Sequence, residues 1–143
     1  MKKHQNLFRD LQEDFRKMKK NLLVAQSGGP TAAINATLAG VIKQAIKEEQ
    51  IDQVYGACYG IQGVLEQKFV NLTEKVDTEE KLEKLKRTPA AALGSCRFKL
   101  NDIKEDDSQY QEIIDILHKM NIGYFVYIGG NDSMDTVAKL SAY

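Results

Sequence analysis

Asn21-Leu22-Leu23-Val24-Ala25-Gln26-Ser27-Gly28-Gly29-Pro30 decides the fold. The apolar run Leu22 to Ala25 leads almost directly into a glycine pair, the pattern of a strand buried on both faces and closed by a tight turn. Pro30 suits the first turn of a helix, where its missing N–H is no loss. Ile34, Leu38, Val41, Ile42, Ala45 and Ile46 then recur at helical spacing and predict a helix ending near Glu49 and Gln50. The same design returns further along the chain. Tyr124-Phe125-Val126-Tyr127-Ile128 is apolar throughout and rich in β-formers, which predicts another strand covered on both faces. Gly129-Gly130-Asn131-Asp132-Ser133 follows, then a helix from about Met134 to Ser141.

Between these units lie further elements. Val54-Tyr55-Gly56-Ala57 predicts a strand, and Tyr59-Gly60-Ile61-Gln62-Gly63-Val64-Leu65 a loop with one helical turn. Phe69-Val70-Asn71-Leu72 reads as a short strand. Asp77 and Glu80 form a capping box for a charged helix ending at Arg87, and Thr88-Pro89 breaks it. Residues 90–101 read as a loop. Asp107 or Ser108 caps a helix with the apolar stripe Tyr110, Ile113, Ile114, Leu117 and Met120, and Gly123 suits its left-handed C-terminal turn. Alternating strands and helices imply α/β architecture: a Rossmann-like three-layer sandwich with a mostly parallel sheet.

Composition narrows the class. The chain has 143 residues, 43% of them hydrophobic and 28% charged, enough for one domain with a core that needs no disulfides. Lys and Arg number 20, as do Asp and Glu, so the chain-wide basic field of a nucleic-acid binder is excluded. Residues 1–20 carry a net charge of +4 and the remainder −4. Cys58 and Cys96 are too few for a disulfide framework and fit no metal spacing. No apolar run reaches the ~18 residues of a membrane span, and the N-terminus has no signal-like apolar segment. The expectation is a soluble, cytoplasmic protein.

Residues 1–20 read as an extension to a regular domain over 21–143. Phe8, Leu11, Phe15 and Met18 recur on one helical face, which fits either a basic amphipathic helix for a partner or membrane surface, or a frayed or disordered extension. The second is the expectation. Met18-Lys19-Lys20 looks like a natural start, with residues 1–17 an upstream reading of the frame.

The chemistry concentrates in the two glycine turns. In a parallel sheet both lie at carboxyl ends of strands, where open α/β sheets bind ligands. Glycine admits a phosphate to the backbone, and the following helix start supplies free N–H groups and partial positive charge. The phosphate-binding candidates are therefore Gly28, Gly29, Gly130 and Ser133. Neither turn matches a dinucleotide or P-loop fingerprint, and a glycine pair is also simply a tight strand-to-helix connection. Asn131 and Asp132 add an oxygen-rich pair at a helix start that suits Mg²⁺ beside bound phosphates; Asp132 equally fits as a first-turn acid favoured by the helix dipole. Arg97 lies in a mostly uncharged loop and reads as a phosphate clamp or as a plain surface arginine. His4 and His118 read as solvated. Tyr110, Tyr124 and Tyr127 read as packing.

Four motifs in order resemble the phosphofructokinase family over residues 21–143: Gln26-Ser27-Gly28-Gly29-Pro30-Thr31-Ala32-Ala33-Ile34-Asn35, Tyr59-Gly60-Ile61-Gln62-Gly63, Leu93-Gly94-Ser95-Cys96-Arg97-Phe98 and Ile128-Gly129-Gly130-Asn131-Asp132-Ser133. The resemblance implies Mg²⁺-assisted phosphoryl transfer to the 1-hydroxyl of fructose 6-phosphate, in the cytoplasm, by a protein that is a homo-oligomer when full length. It implies that Gly29 contacts the donor and Arg97 clamps its phosphates. Asn131 stands where ATP-using members carry the metal-binding Asp. Asp132 stands where they carry the second Gly of Gly-Gly-Asp-Gly-Ser, and an Asp there goes with pyrophosphate as donor. A side chain at that point crowds and repels the α-phosphate of a nucleotide. Pro30 and Thr31 also resemble the pyrophosphate-type form.

The resemblance has two departures. Asn131 offers an amide oxygen rather than a carboxylate, so Asp132 becomes the alternative ligand. The family's catalytic segment, Thr-x-Asp-Asn-Asp, does not occur within residues 1–143. The resemblance implies that this segment, with the base that deprotonates the sugar hydroxyl, lies downstream of Tyr143, so no catalytic residue is expected within the chain. Competing readings are an ATP-dependent member, a lipid or nicotinamide-dinucleotide kinase with a similar loop, and a non-catalytic, truncated phosphate-binding module. Phosphoryl transfer requires donor, metal and acceptor to be positioned together. The pure 143-residue chain is therefore expected to form no fructose 1,6-bisphosphate, and a coupled assay that detects the product would overturn that expectation.

Overall fold

The structure is a computed structural model that describes residues 6–13, 19–27, 32–94, 100, 104–129 and 131–142. Residues 6–13 are helical (α1). The sequence then runs β1 (Lys20–Gln26), α2 (Ala32–Lys47), β2 (Ile51–Ala57), α3 (Gly60–Leu65), β3 (Phe69–Asn71), α4 (Leu72–Lys75), α5 (Glu79–Arg87), α6 (Ser108–Lys119), β4 (Ile122–Ile128) and α7 (Asn131–Ala142). The sheet order is β3-β2-β1-β4. β1 pairs in parallel with both β2 and β4, and β3 joins β2 antiparallel, so the sheet is mixed but mainly parallel.

β1 shows why the sheet needs two helical layers. Its side chains alternate: Leu22 and Val24 enter one core with Leu38, Ile42 and Leu82, while Leu23 and Ala25 enter the other with Ile61, Tyr110 and Ile113. Helices α2 and α5 thus cover one face, and α3 and α6 the other. Continuous apolar sequence follows from a strand with no solvent face. Among the described residues, no helix is long and apolar enough to cross a membrane.

Several local expectations change. α2 stops at Lys47, and Ile46, placed on its apolar stripe, is exposed. Residues 60–65 form a helix rather than a loop with one turn. Thr78, not Asp77, caps α5: its backbone is extended and its hydroxyl accepts from Lys81 N–H at 3.2 Å. Asp77 pairs instead with the Lys81 ammonium at 2.7 Å, which holds the Asp77 carboxyl below its usual range. Asp107 occupies the cap position of α6 without a side-chain bond, and the carboxylate of Asp106 accepts from Ser108 N–H at 2.9 Å.

The turn between α6 and β4 departs in the same way. Asn121, at φ 56°, takes the left-handed conformation assigned to Gly123. Asparagine tolerates it because its side chain bonds locally: here it donates to Lys19 O and accepts from Lys20 Nζ. Gly123 lies inside β4 for another reason. A Cβ there would sit 2.5 Å from the Lys20 Cβ. β4 is also less covered than expected: its residues are half-buried, and Gly123 and Tyr124 are exposed. As the end strand of the described sheet it pairs only with β1.

Two glycines give opposite tests of backbone packing. A Cβ on Gly63 would meet the Cys58 carbonyl oxygen at 1.6 Å, whereas a Cβ on Gly40 would meet nothing within 4 Å. Gly40→Ala, in the interior of α2, is expected to stabilise the chain by about 0.5–1 kcal/mol. Gly63→Ala forces α3 off the end of β2 and is expected to destabilise by about 3 kcal/mol or more. Urea titrations of both variants check this, and equal effects would contradict the packing described.

Candidate functional site

Register brings three carboxyl ends together. Ala25 pairs with Ala57 of β2, and Gln26 with Ile128 of β4. One residue further on, Ser27 N–H donates to Ile128 O at 2.7 Å. The strands leading into the two glycine turns therefore finish side by side, with the end of β2 on the other flank of β1.

Of the residues singled out by sequence, Gly28, Gly29, Arg97 and Gly130 lie outside the described residues. So does Tyr143, the residue beyond which the catalytic segment is expected; α7 is described as far as Ala142. Asn131, Asp132 and Ser133 form the first three positions of α7, placed by their backbone. Exposed Gly129 leads from β4 toward that helix. His118 is exposed in the last turn of α6, whereas His4 and Cys96 lie outside the described residues. Among the described residues no three His, Cys, Asp or Glu side chains gather as a metal cluster.

Both flanks of the Arg97 segment are fixed. On one side, Leu93 N–H donates to Gln26 Oε1 and Leu93 O accepts from Tyr59 N–H, each at 2.8 Å. Leu93 is thereby sewn to the ends of β1 and β2, while its side chain packs over Gly56. Gly94 follows at φ 75°, and a Cβ there would sit 2.8 Å from the Tyr59 ring. On the other side, Leu100 is buried and its carbonyl accepts from Lys139 Nζ of α7 at 3.3 Å. The segment carrying Arg97 is thus anchored beside the first glycine turn at one end and to the helix after the second turn at the other.

A buried amide pair holds the first anchor, and sequence reading assigned it no role. Gln26 Nε2 donates to Ile34 O and to Asn35 Oδ1, both at 3.2 Å. Asn35 Nδ2 donates to Thr88 O at 2.6 Å and to Ala90 O, and Asn35 Oδ1 also accepts from Ala92 N–H at 2.9 Å. Both side chains are fully buried. The available signal was position: Asn35 falls on the buried stripe of α2 beside Ile34, and Gln26 ends an otherwise apolar strand.

Tyr59 was likewise missed. It precedes α3 in the left-handed region (φ 65°, ψ 41°), is 54% exposed and rests against Gly94. Tyr59 shares this sparsely populated conformation with Gln67, Ala90 and Asn121 among the described residues, and at the end of β2 it is locked by its ring against Gly94. Tyr127, read as packing, has a polar task as well, since its hydroxyl accepts from Ile61 N–H at 3.1 Å in the first turn of α3. Beside the end of β2, Lys68 pairs with Glu66 at 2.9 Å, and that carboxylate raises the lysine pKa.

The family model described as Phosphofructokinase matches residues 21–143. The pyrophosphate–fructose 6-phosphate 1-phosphotransferase of Rhodospirillum rubrum is 44% identical over 123 residues, covering 86% of this chain and 29% of that protein. ATP-dependent 6-phosphofructokinase 3 of Bacteroides thetaiotaomicron is 32% identical over 122 residues, covering 83% of this chain and 34% of that protein. Among solved structures, the pyrophosphate-dependent phosphofructokinase of Nitrosospira multiformis superposes with a TM-score of 0.77 at 39% identity, covering 86% of this chain and 29% of that one. The chain thus spans under a third of the length of the pyrophosphate-dependent relatives at 40–44% identity.

Tyr127→Phe tests the described edge directly. It keeps the ring and removes the acceptor for Ile61 N–H, which is expected to destabilise the chain by about 1–2 kcal/mol. A urea midpoint unchanged within error would show that this bond contributes nothing.

Proposed function

Since this chain belongs to the phosphofructokinase family, we propose that it carries the phosphoryl-donor site of an enzyme that transfers a phosphoryl group from pyrophosphate to the 1-hydroxyl of fructose 6-phosphate. The observation that carries the reading is the register of β1 with β4. It sets the approaches to two glycine turns side by side, each ahead of a helix of at least 12 residues. Two helix N-termini at one edge offer free N–H groups and partial positive charge to one anion. In this reading residues 21–143 are the donor-binding unit and residues 1–20 an extension. Gly28 and Gly29 admit the donor to the backbone, Gly130 and Ser133 do so at the second turn, and Arg97 clamps the phosphate oxygens. The base for the sugar hydroxyl belongs to the segment expected downstream of Tyr143, so no residue of this chain is given that role.

Pyrophosphate is preferred to ATP on two grounds. The relatives at 40–44% identity are named for pyrophosphate, while the ATP-dependent relatives stand at 30–32%. In this reading Asp132, the second residue of α7, is the acid that a nucleotide's α-phosphate would meet, and like charges repel. Pyrophosphate has no third phosphate to repel.

Mg²⁺ fits the donor set. Asn131 and Asp132 supply hard oxygens at a helix start, and Mg²⁺ commonly takes one or two such ligands together with substrate phosphates. When bound, it would neutralise charge developing on the transferring group. A cytoplasmic location and homo-oligomeric assembly of the whole protein belong to the same reading.

Calorimetric titration of the 143-residue chain tests this in the presence of Mg²⁺. Pyrophosphate is expected to bind about tenfold more tightly than ATP, a difference of ~1.4 kcal/mol. Asp132→Gly is expected to bring ATP to within about threefold of pyrophosphate, recovering roughly the part of that difference due to charge. Equal affinity for the two donors in the unaltered chain would overturn the donor assignment, and no binding of either would overturn the site.

A further inference from the structure

Two apolar surfaces of this chain lack cover among the described residues, and a short tether joins them. The first is on α1. All eight of its described residues are exposed, and Leu7, Phe8 and Leu11, which share one stripe, are 57%, 63% and 54% exposed. A helix this short is marginal in water unless one of its faces packs, because nucleation costs more than so few turns return. The second surface is an open groove along α2, lined by Thr37, Gly40, Val41 and Gln44 with Leu22 of β1 and Ile51 of β2. Its walls are mainly apolar. Tyr124, in register with Leu22 and 42% exposed, carries that surface onto β4, where Val126 and Ile128 pack half-buried against the same core. Helices α2 and α5 cover this face over β1 and β2, and β4 keeps an open flank.

We propose that α1 is a strap: its Leu7, Phe8 and Leu11 stripe seats in the groove between α2 and β4 and closes that flank of the sandwich. The tether selects the groove. From Glu13 to Lys20 the chain spans at most about 25 Å, and Lys20 begins the strand whose Leu22 lines the groove. Met134 and Val137 are exposed as well, but they lie in the first two turns of α7, which follows the carboxyl end of β4 and packs toward the other core through Leu140. β1 begins at the amino end. Charge agrees with the choice: the groove is lined by the carboxylate of Glu48, and residues 1–20 carry a net charge of +4. The match to the family begins at residue 21, so the strap is an addition to that unit and stands independently of the donor reading. The structure holds the strap open. Closing it takes apolar surface of both partners out of water, and the tether makes closure an intramolecular step.

Hydrogen exchange of the 143-residue chain, read by mass spectrometry, tests the strap. Residues 6–13 are expected to exchange at least about tenfold more slowly than in a free peptide of the same sequence. Phe8→Asp, which puts a charge in the stripe, is expected to return them to the free-peptide rate. Gly40→Arg probes the groove from the other side. A Cβ at this position meets nothing within 4 Å, so the substitution fits α2. Its apolar stem covers the groove floor and its charge repels the basic segment. It too is expected to return residues 6–13 to the free-peptide rate, with cooperative urea unfolding retained. If that variant does not unfold cooperatively, Thr37→Arg, exposed on the same wall, takes its place with the same expected result.

Exchange of residues 6–13 at the free-peptide rate in the unaltered chain would overturn the strap. Protection that survives Phe8→Asp or the groove substitution would mean that α1 packs elsewhere, and would overturn it too. Protection that grows with chain concentration over about a hundredfold range would assign the groove to α1 of a second copy and overturn closure within one chain.

Discussion

The parallel pairing of β1 with strands on both sides is the constraint from which the rest follows. A parallel neighbour cannot be reached by a hairpin, so each pairing requires a crossover, and crossovers bring helices over the sheet. With β2 on one side and β4 on the other, β1 is central, and the helices of the crossovers cover both its faces, hence Leu22 to Ala25 are apolar without alternation and all buried. The same pairing forces the carboxyl ends of all three strands to one edge. Whatever follows β1, β2 and β4 must begin there, and in this chain a glycine pair starts within two residues of the end of two of the three.

Such an edge has a problem that apolar packing does not solve. Its connections expose backbone that must be bonded, and a loop laid over it can slide unless something polar fixes its height. Gln26 and Asn35 answer both needs by satisfying two N–H and three carbonyl groups of the surrounding backbone inside a core where water has no access. Each such bond contributes only about 1 kcal/mol net, but leaving one of these groups unpaired costs about 1–3 kcal/mol. That asymmetry makes the amide pair specific: the loop over residues 88–93 has one low-energy arrangement, and the alternatives leave buried groups unpaired. Tyr59 adds the second strand end to the same loop, and Lys139 ties the far flank to α7.

Much of this was legible in sequence, and the limits have physical causes. β1 and α2 could be read because their burial is set by short-range pattern, an apolar run and a helical stripe. The two glycine turns could be read because glycine marks places where the chain turns sharply. The left-handed residue before β4 could not be chosen: Asn121 and Gly123 both allow the conformation, and the second need for glycine at 123, the approach of Lys20, comes from a strand about a hundred residues away. The cap of α5 was misplaced by one residue because Asp77 and Thr78 are both good caps, and Lys81 engages each of them, through its ammonium and its N–H. The cover of β4 was overestimated because apolar sequence records what a strand can bury, not which neighbours the sheet supplies. Gln26 and Asn35 were passed over because a single amide carries no periodic signal, and their meaning lies in partners up to 67 residues away.

The commitment of these amides bears on how such an edge can hold an anion at all. Side chains used to fix backbone are not free to contact a ligand, and the chain's formal charge of zero provides no general attraction. In the proposed site the favourable terms must then be local and directional: N–H groups at the starts of α2 and α7, the guanidinium of Arg97 and a metal ion. Each acts over a few ångströms and falls away steeply with misplacement. In the same proposal the carboxylate of Asp132 opposes them, and its repulsion would penalise a longer phosphate chain more than a short one. Discrimination between donors then depends less on how strongly any one group attracts phosphate than on how rigidly the spacing is held. Gln26 and Asn35 meet the part of that demand visible among the described residues: they hold residues 88–93, which lead toward the Arg97 segment, against the end of β1.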